Sequence, residues 1–156
     1  KMKLFEAMNK NVITVKKEVT ILDVMRLMRE KEIGFIIIEE DNEAVGVITD
    51  RDIVLSLSRE ISLTTPINKI MKKYVITASE ETELEKATDI MGYMQIRRLV
   101  VVNNENKIVG ILSTTDLLSN PLTENLALDT LIEISYNFPT KCEETEGLLQ
   151  TNVFIL

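Results

Sequence analysis

Two segments of the chain share a short pattern of residues that can do chemistry. GVITDRD occupies positions 46–52 and GILSTTD occupies 110–116, so each has a glycine, two apolar residues, a hydroxyl residue, two variable residues and an aspartate. Where a strand ends and a helix begins, a hydroxyl beside free backbone N–H groups can bind an anion. A carboxylate can accept two hydrogen bonds from a cis-diol. The pattern therefore favours a ribose phosphate over a bare phosphate, which the carboxylate would repel.

The same residues also have a purely structural interpretation. Thr49 with Asp52, and Ser113 with Asp116, fit the capping box, in which a hydroxyl and an acid satisfy the first N–H groups of a helix. In a single copy, capping would be the preferred interpretation because so short a motif is weakly specific. Two copies in matched contexts favour a ligand site, so both interpretations stay open.

The residue counts argue against most enzyme classes. The chain of 156 residues has no histidine, which excludes a His-dependent triad or a zinc centre with histidine ligands. Its five glycines form no GxGxxG, GxSxG or P-loop pattern. Carboxylate chemistry stays possible with 25 Asp and Glu residues, but no acid–base pair stands out. We therefore predict that the protein is not an enzyme.

Charge and cysteine content limit the partners and the compartment. A formal net charge of −7 disfavours nucleic acid and anionic membranes as partners. Cys142 is the single cysteine, so no intramolecular disulfide can form. We see no secretory segment and no apolar run long enough to span a membrane. These features predict a cytoplasmic protein.

The elements that position the motif are themselves duplicated. Leu4–Val15 aligns with Ile67–Ala78 without a gap, which places Met8 on Met71. Further along, one inserted residue brings Gly46 onto Gly110 and Asp52 onto Asp116. The repeats span 4–58 and 67–120, and they leave 121–156 as a C-terminal extension.

Each repeat predicts the order β-α-β-β-α, an α/β fold. A β-rich stretch (12–15 or 75–78) is followed by a helix that begins near Thr20 or Thr82, and the apolar residues then recur every three or four positions. Two β-branched runs separated by a polar turn predict a hairpin, and a second helical pattern follows. One copy alone has a marginal core. We therefore expect the copies to pack around a pseudo-twofold axis with two related clefts.

The repeats, their spacing and the endings GVITDRD and GILSTTD resemble the CBS domain family, named for cystathionine β-synthase. The resemblance covers about 4–58 and 67–120. It implies a CBS-domain pair whose clefts bind AMP, ADP, ATP or S-adenosylmethionine as a regulatory ligand, with no required cofactor. It also implies a homodimer.

The same resemblance assigns residues to the two clefts. One cleft would comprise Thr49 and Asp52 for phosphate and ribose, Gly34 and Val47 beside them, and Val75 and Ile76 around the adenine. The other would comprise Ser113 and Asp116, with Ile111 beside them and Ile13 and Ile33 from the first repeat.

Arg97 and Arg98 precede the strand 99–102, where related proteins often place basic residues that reach ligand phosphates. Arginine suits this role because its planar fork donates to two oxygens. The alternative is a solvated pair at the start of a strand. The first repeat has Gly34 and Phe35 at these positions. The clefts should therefore differ, and the Asp116 cleft is favoured for a charged ligand.

These features predict a regulatory nucleotide sensor. Because no effector domain is evident, its signal would pass through dimer rearrangement or through a partner protein. The alternative is an interaction or scaffold protein with vestigial pockets. The extension 121–156 predicts an amphipathic helix followed by a tail ending in NVFIL. This extension would cover a sheet edge or a neighbouring subunit, or act as a partner-binding peptide.

Overall fold

A computed structural model describes residues 1–136 and 153–155. The elements are α1 (Leu4–Ala7), β1 (Thr14–Lys16), α2 (Ile21–Lys31), β2 (Phe35–Glu40), β3 (Glu43–Thr49), α3 (Asp50–Leu57), a 3-10 helix (Ile67–Lys69), β4 (Val75–Ser79), α4 (Leu84–Met94), β5 (Arg98–Val102), β6 (Ile108–Ser113), α5 (Thr114–Leu118), α6 (Glu124–Ser135) and β7 (Val153–Ile155). The predicted α/β class and the repeated order β-α-β-β-α are confirmed. Cys142 and the rest of the predicted tail, apart from residues 153–155, lie outside the described residues.

The amphipathic helices begin close to their predicted starts. Thr20 is the N-cap of α2, and its hydroxyl accepts a hydrogen bond from the Asp23 N–H at 3.1 Å. In the second repeat the N-cap is Glu83, one residue after Thr82. The Thr82 N–H instead donates to the Ser79 carbonyl in a turn. The N-cap residue Glu83 makes no side-chain cap hydrogen bond, so the two helices begin in different ways.

Each repeat contributes one three-stranded arrangement with the same pairing. In the first sheet β1 is parallel to β2, and β2 is antiparallel to β3. In the second, β4 is parallel to β5 and β5 is antiparallel to β6, while β7 lies next to β4. Both hairpins have an irregularity at equivalent places, between Ile38 and Glu39 and between Val101 and Val102. Both hairpins were predicted from their β-branched runs.

The compact units of the fold differ from the repeats of the sequence. One unit consists of Ile13–Val75, and the other combines Lys1–Val12 with the chain from Ile76 onward. Residues 1–12, which we call the N-terminal arm, therefore pack with the second repeat. Residues 67–75, which we call the linker arm, pack with the first. The opening segment of each sequence repeat therefore packs with the rest of the other repeat.

Each arm is attached to its unit by backbone hydrogen bonds and by a methionine packed on a glycine. Asn9 exchanges backbone hydrogen bonds with Ile111 at 2.8 and 2.9 Å, and Lys72 does so with Val47 at 2.9 Å. A Cβ placed on Gly46 would lie 2.3 Å from the Met71 sulfur. At the equivalent Gly110, a Cβ would lie 2.4 Å from the sulfur of Met8. The glycine that opens each motif is therefore required because the arm approaches so closely.

Each unit has its own apolar core. In the unit of residues 13–75, fully buried Ile36, Ile38 and Ile48 pack with Ile21 and Val24 of α2. The other unit has an equivalent core, to which the N-terminal arm contributes Leu4 and α6 contributes Ala127. Helix α6 thus completes the core of one unit. In the described part of the chain, no helix is both long and apolar enough to cross a membrane.

Candidate functional site

The two motifs lie at junctions where a strand passes directly into a helix. Thr49 ends β3 and is the N-cap of α3, and its hydroxyl accepts from the Asp52 N–H at 3.1 Å. In return, Asp52 Oδ2 accepts from the Thr49 N–H at 3.0 Å. At the end of β6, Asp116 Oδ2 accepts from the Ser113 N–H at 2.9 Å and from its hydroxyl at 2.6 Å. The capping box predicted from the sequence is formed at both junctions.

Capping engages only one oxygen of each aspartate. At the first junction, the second oxygen, Asp52 Oδ1, lies 3.3 Å from Lys72 Nζ in a salt bridge. Burial raises the pKa of Asp52, but hydrogen bonds from Thr49 and Lys72 outweigh this effect and hold the pKa below its ordinary value. Lys72 comes from the linker arm, so this arm contributes charge to the junction.

Sequence reasoning missed Lys72, although a signal for it exists. The alignment of the two arms that places Met8 on Met71 also places Asn9 on Lys72. The structure supports this equivalence, because Lys72 pairs with Val47 and Asn9 pairs with Ile111. The neutral Asn9 amide cannot form an ion pair. The two arms thus bring a cation to one junction and a neutral side chain to the other.

The starts of β2 and β5 introduce a second difference. Arg98 lies opposite Ser113 in the ladder, as Phe35 lies opposite Thr49. The carbonyl of Arg97 accepts from the Thr114 N–H at 3.1 Å, and the carbonyl of Gly34 accepts from the Asp50 N–H at 3.0 Å. The predicted equivalence of the two pairs is therefore seen in the backbone. Both arginines are exposed.

Asp50 adds a further charge to the first junction. A Cβ on Gly34 would lie 2.7 Å from Asp50 Oδ2, so the absence of a side chain at Gly34 makes room for this carboxylate. The equivalent residue in the second repeat is Thr114, which is buried. The first junction therefore combines Asp50 and Asp52 with Lys72, whereas the second combines Asp116 with two arginines. The first is the more acidic of the two.

The structure groups the predicted cleft residues by unit. Those in the unit of residues 13–75 are Ile13, Ile33, Gly34, Val47, Thr49, Asp52 and Val75, and those in the other unit are Ile76, Arg97, Arg98, Ile111, Ser113 and Asp116. Thr49, Asp52, Gly34 and Val47 meet at the β2–β3–α3 junction. Arg97, Arg98, Ile111, Ser113 and Asp116 meet at β5–β6–α5. The assignment of all thirteen residues to ligand-binding clefts stays a prediction.

Neither junction has the ligand set of a metal centre. Among residues 1–136 and 153–155, no group of three or more His, Cys, Asp or Glu side chains could hold a metal ion. The chemistry that these junctions offer is hydrogen bonding and charge, from carboxylate oxygens, hydroxyls and the cations of Lys72, Arg97 and Arg98.

Comparison with known families and proteins gives a consistent result. The model of the CBS domain matches residues 4–59 and 67–122. CBS domain-containing protein YhcV from Bacillus subtilis is 32% identical over 132 residues, which cover 84% of this chain and 94% of YhcV. An uncharacterized 17.7 kDa protein from Acidianus ambivalens is 37% identical over 107 residues. That match covers 68% of this chain and 65% of the Acidianus protein, slightly less than two thirds of it.

Solved structures share the fold. A CBS domain protein from Pyrobaculum aerophilum complexed with AMP has a TM-score of 0.73 at 23% identity, covering 83% of this chain and 99% of that one. Another CBS domain pair, in complex with methylthioadenosine and S-adenosyl-L-methionine, has a TM-score of 0.68 at 24% identity. That match covers 76% of this chain and 98% of the other.

Proposed function

Because the chain belongs to the CBS domain family, we propose that it is a regulatory module that binds an adenosyl ligand at its strand-to-helix junctions. The observation that carries the proposal is the duplicated junction, in which a hydroxyl and a carboxylate are held by the same hydrogen bonds in both repeats. The ligand class comprises AMP, ADP, ATP and S-adenosylmethionine. Two solved proteins of the same fold were crystallised with ligands of this class.

The chemistry of each junction suits a ribose more than a bare phosphate. Capping uses Oδ2 of Asp52 and of Asp116 and leaves Oδ1 of each outside the cap, with Asp52 Oδ1 in the salt bridge to Lys72. A carboxylate oxygen accepts a hydrogen bond from a ribose hydroxyl, and hydrogen bonds to charged groups are stronger than neutral ones. The proposed sites contain the thirteen residues assigned to the two clefts from the sequence.

The Asp116 junction is the proposed site for a ligand that carries phosphate. Arg97 and Arg98 are exposed, and Arg98 is paired with Ser113 across the ladder. A guanidinium can donate to two phosphate oxygens at once. At the other junction, Gly34 and Phe35 supply no charge and Asp50 adds a carboxylate. A ligand with fewer negative charges fits that junction better.

The proposed role is regulatory and not catalytic. Both segments that match a family model are CBS domains, and the carboxylates at the junctions are held in helix caps. We propose that ligand binding changes the arrangement of a homodimer or the affinity for a partner protein in the cytoplasm. Such coupling needs a ligand that prefers one of two states.

One observation favours a second candidate, an interaction or scaffold protein with vestigial pockets. Each capping box is complete within the chain, so the aspartates have a structural role that does not need a ligand. In this case, replacing either aspartate would cost about 1 kcal/mol of stability, as the loss of a helix cap does. It would change no binding property.

Isothermal titration calorimetry with AMP, ADP, ATP and S-adenosylmethionine separates the two candidates. We expect Asp116→Ala to weaken nucleotide binding about 10- to 100-fold, since a hydrogen bond to a charged group contributes about 1.5–3 kcal/mol. Asp23→Ala is the matched control. Asp23 forms the same capping box with Thr20 at the start of α2 and belongs to neither motif.

In urea denaturation, Asp23→Ala should lose about as much stability as Asp116→Ala. It should nevertheless bind nucleotide as the parent protein does. The proposed function fails if the parent protein binds none of the four ligands more tightly than millimolar. It also fails if Asp116→Ala and Asp23→Ala have the same effect on binding.

A further inference from the structure

A cavity of about 400 Å³ lies where the N-terminal arm packs on the rest of its unit. Its lining combines apolar side chains with three charged ones, and the residues are Phe5, Met8, Lys10, Glu80, Glu81 and Val109. All six belong to the same compact unit. The volume lies within the range of about 300–1,000 Å³ that is usual for small-molecule sites.

This cavity is distinct from the Asp116 junction. Val109 lies four residues before Ser113 on β6, so the two residues are more than about 10 Å apart along the strand. The Glu80 N–H donates at 2.9 Å to the carbonyl of Val102, the last residue of β5. The junction lies at the other end of β5, where this strand begins. The cavity and the junction therefore lie at opposite ends of the sheet.

Apolar side chains form one part of the lining. Met8 and Val109 are half-buried and pack on the core of the unit. Phe5 lies outside that core and is 39% exposed. An apolar group bound here would cover carbon atoms of the ring and of the half-buried side chains. Removing such surface from water is favourable.

The charged side chains of the lining do not neutralise one another. Within the described part of the chain, Lys10, Glu80 and Glu81 form no salt bridge. Glu80 is half-buried, and the other two residues are exposed. The two carboxylates can bind a cationic group, and the Lys10 ammonium can bind an anionic one, without breaking an ion pair of the protein. Such charge-assisted hydrogen bonds are stronger than neutral ones.

The equivalent place in the unit of residues 13–75 has different chemistry. The repeat alignment places Phe5 on Asn68 and Glu80 on Lys17. The Asn68 N–H donates to the Lys17 carbonyl at 3.3 Å, and the Phe5 N–H donates in the same way to the Glu80 carbonyl at 3.1 Å. The Lys17 ammonium is paired with Glu40. The fold therefore requires neither the aromatic ring nor the carboxylate of the cavity.

We propose that the cavity binds a free α-amino acid with an apolar side chain. Glu80 and Glu81 accept hydrogen bonds from its ammonium group, and Lys10 donates to its carboxylate. Its side chain packs on the apolar part of the lining. A purely anionic ligand would meet two carboxylates, and a purely cationic one would leave Lys10 without a partner. This site goes beyond the proposed function, since it shares no residue with either predicted cleft.

Isothermal titration calorimetry with L-leucine in the absence of nucleotide tests the proposal. We expect a dissociation constant below about 1 mM, since a ligand of so few atoms gains limited binding energy. The analogue 4-methylpentanoate lacks the ammonium group of leucine, and 3-methylbutylamine lacks its carboxylate. Each analogue should bind at least about tenfold more weakly than leucine, because one charged contact is lost.

Two substitutions give the cavity the residues found at the equivalent place of the other unit. Glu80→Lys and Phe5→Asn should each weaken leucine binding at least about tenfold. The fold accommodates lysine and asparagine at those equivalent positions, and urea denaturation verifies that both variants are folded. Asp129→Lys makes the same change of charge at an exposed position of α6 and does not line the cavity. This control should bind leucine like the parent.

Three results would overturn the proposal. The first is a dissociation constant of the parent for leucine above about 1 mM. The second is an analogue that binds as tightly as leucine, because the site would then not recognise both charges. The third is a Glu80→Lys or Phe5→Asn variant that binds leucine as well as Asp129→Lys does. Asp116→Ala should bind leucine like the parent, so failure of the nucleotide site and failure of this cavity are distinguishable.

Discussion

The two junctions share their backbone and differ in their charges. In both, a strand ends at a hydroxyl residue, an aspartate caps the helix, and a methionine of the arm packs on the glycine that opens the motif. At the Asp52 junction, the charged neighbours are Asp50 and Lys72. At the Asp116 junction, they are Arg97 and Arg98.

This difference shows which parts of the repeat are constrained by folding and which are available for recognition. Close packing requires the glycine of each motif, and helix capping requires its hydroxyl residue and its aspartate, whether or not a ligand binds. The charged residues that differ between the junctions, Asp50, Lys72, Arg97 and Arg98, are exposed and belong to neither core. Selectivity between ligands should therefore depend on these exposed residues.

The largest effect should come from giving the second junction the residues of the first. We expect Arg97→Gly/Arg98→Phe to weaken ATP binding about 100-fold, which corresponds to about 2.7 kcal/mol. The reason is the loss of two guanidinium groups that can donate to phosphate. Adenosine, which has no phosphate, should bind the parent and the variant with affinities that differ by less than about threefold.

Calorimetry with ATP and with adenosine checks this prediction, and Arg59→Ala, an exposed arginine beyond α3, is the control. An equal loss of affinity for both ligands would mean that the arginines maintain the junction and do not recognise phosphate.

A second prediction concerns α6, which only one repeat has. Gly92→Leu should lower the free energy of unfolding by about 2 kcal/mol, since overpacking a close helix contact typically costs 1–3 kcal/mol. The added side chain would collide with Glu133. Urea denaturation measures the change.

Lys86→Leu introduces the same residue at an exposed position of α4 and should change the stability by less than about 0.5 kcal/mol. Equal stabilities of the two variants would show that α6 does not depend on Gly92 for its position.

The smallest effect should come from the cation at the Asp52 junction. Lys72→Met should raise the pKa of Asp52, because Lys72 is one of the groups that lower it. A depressed folded-state pKa adds stability above the unfolded value of about 3.9, and this stability is lost as the pH falls through the folded pKa. Since the Lys72 side chain is 63% exposed, the loss at pH 7 should be below about 1 kcal/mol.

The difference between Lys72→Met and the parent should shrink as the pH falls below about 4. Urea denaturation at several pH values and an NMR titration of the Asp52 carboxyl measure the two quantities. Lys73→Met, at the exposed neighbouring lysine, is the control. An unchanged Asp52 pKa would show that the salt bridge does not persist in solution.

Much of each junction could be predicted from the sequence, because it depends on local interactions. A hydroxyl residue three positions before an aspartate specifies a helix cap, and the structure forms it at Thr49 and Ser113. The equivalence of Gly34 with Arg97 followed from the repeat alignment. Asp50 and Lys72 were missed because their roles depend on packing: one fills the space beside Gly34, and the other comes from an arm distant in sequence.

The sequence by itself determined the duplication, the order of elements in each copy, the helix caps and the unequal charges of the two junctions. These follow from hydrophobic periodicity and from contacts between residues close in the chain. Only the tertiary structure decided that residues 1–12 pack with the second repeat and residues 67–75 with the first. The reason is physical: two similar repeats offer each arm two similar glycine-opened strands, so the pattern alone does not specify which strand an arm joins. Three-dimensional packing resolves that choice, and with it the position of Lys72.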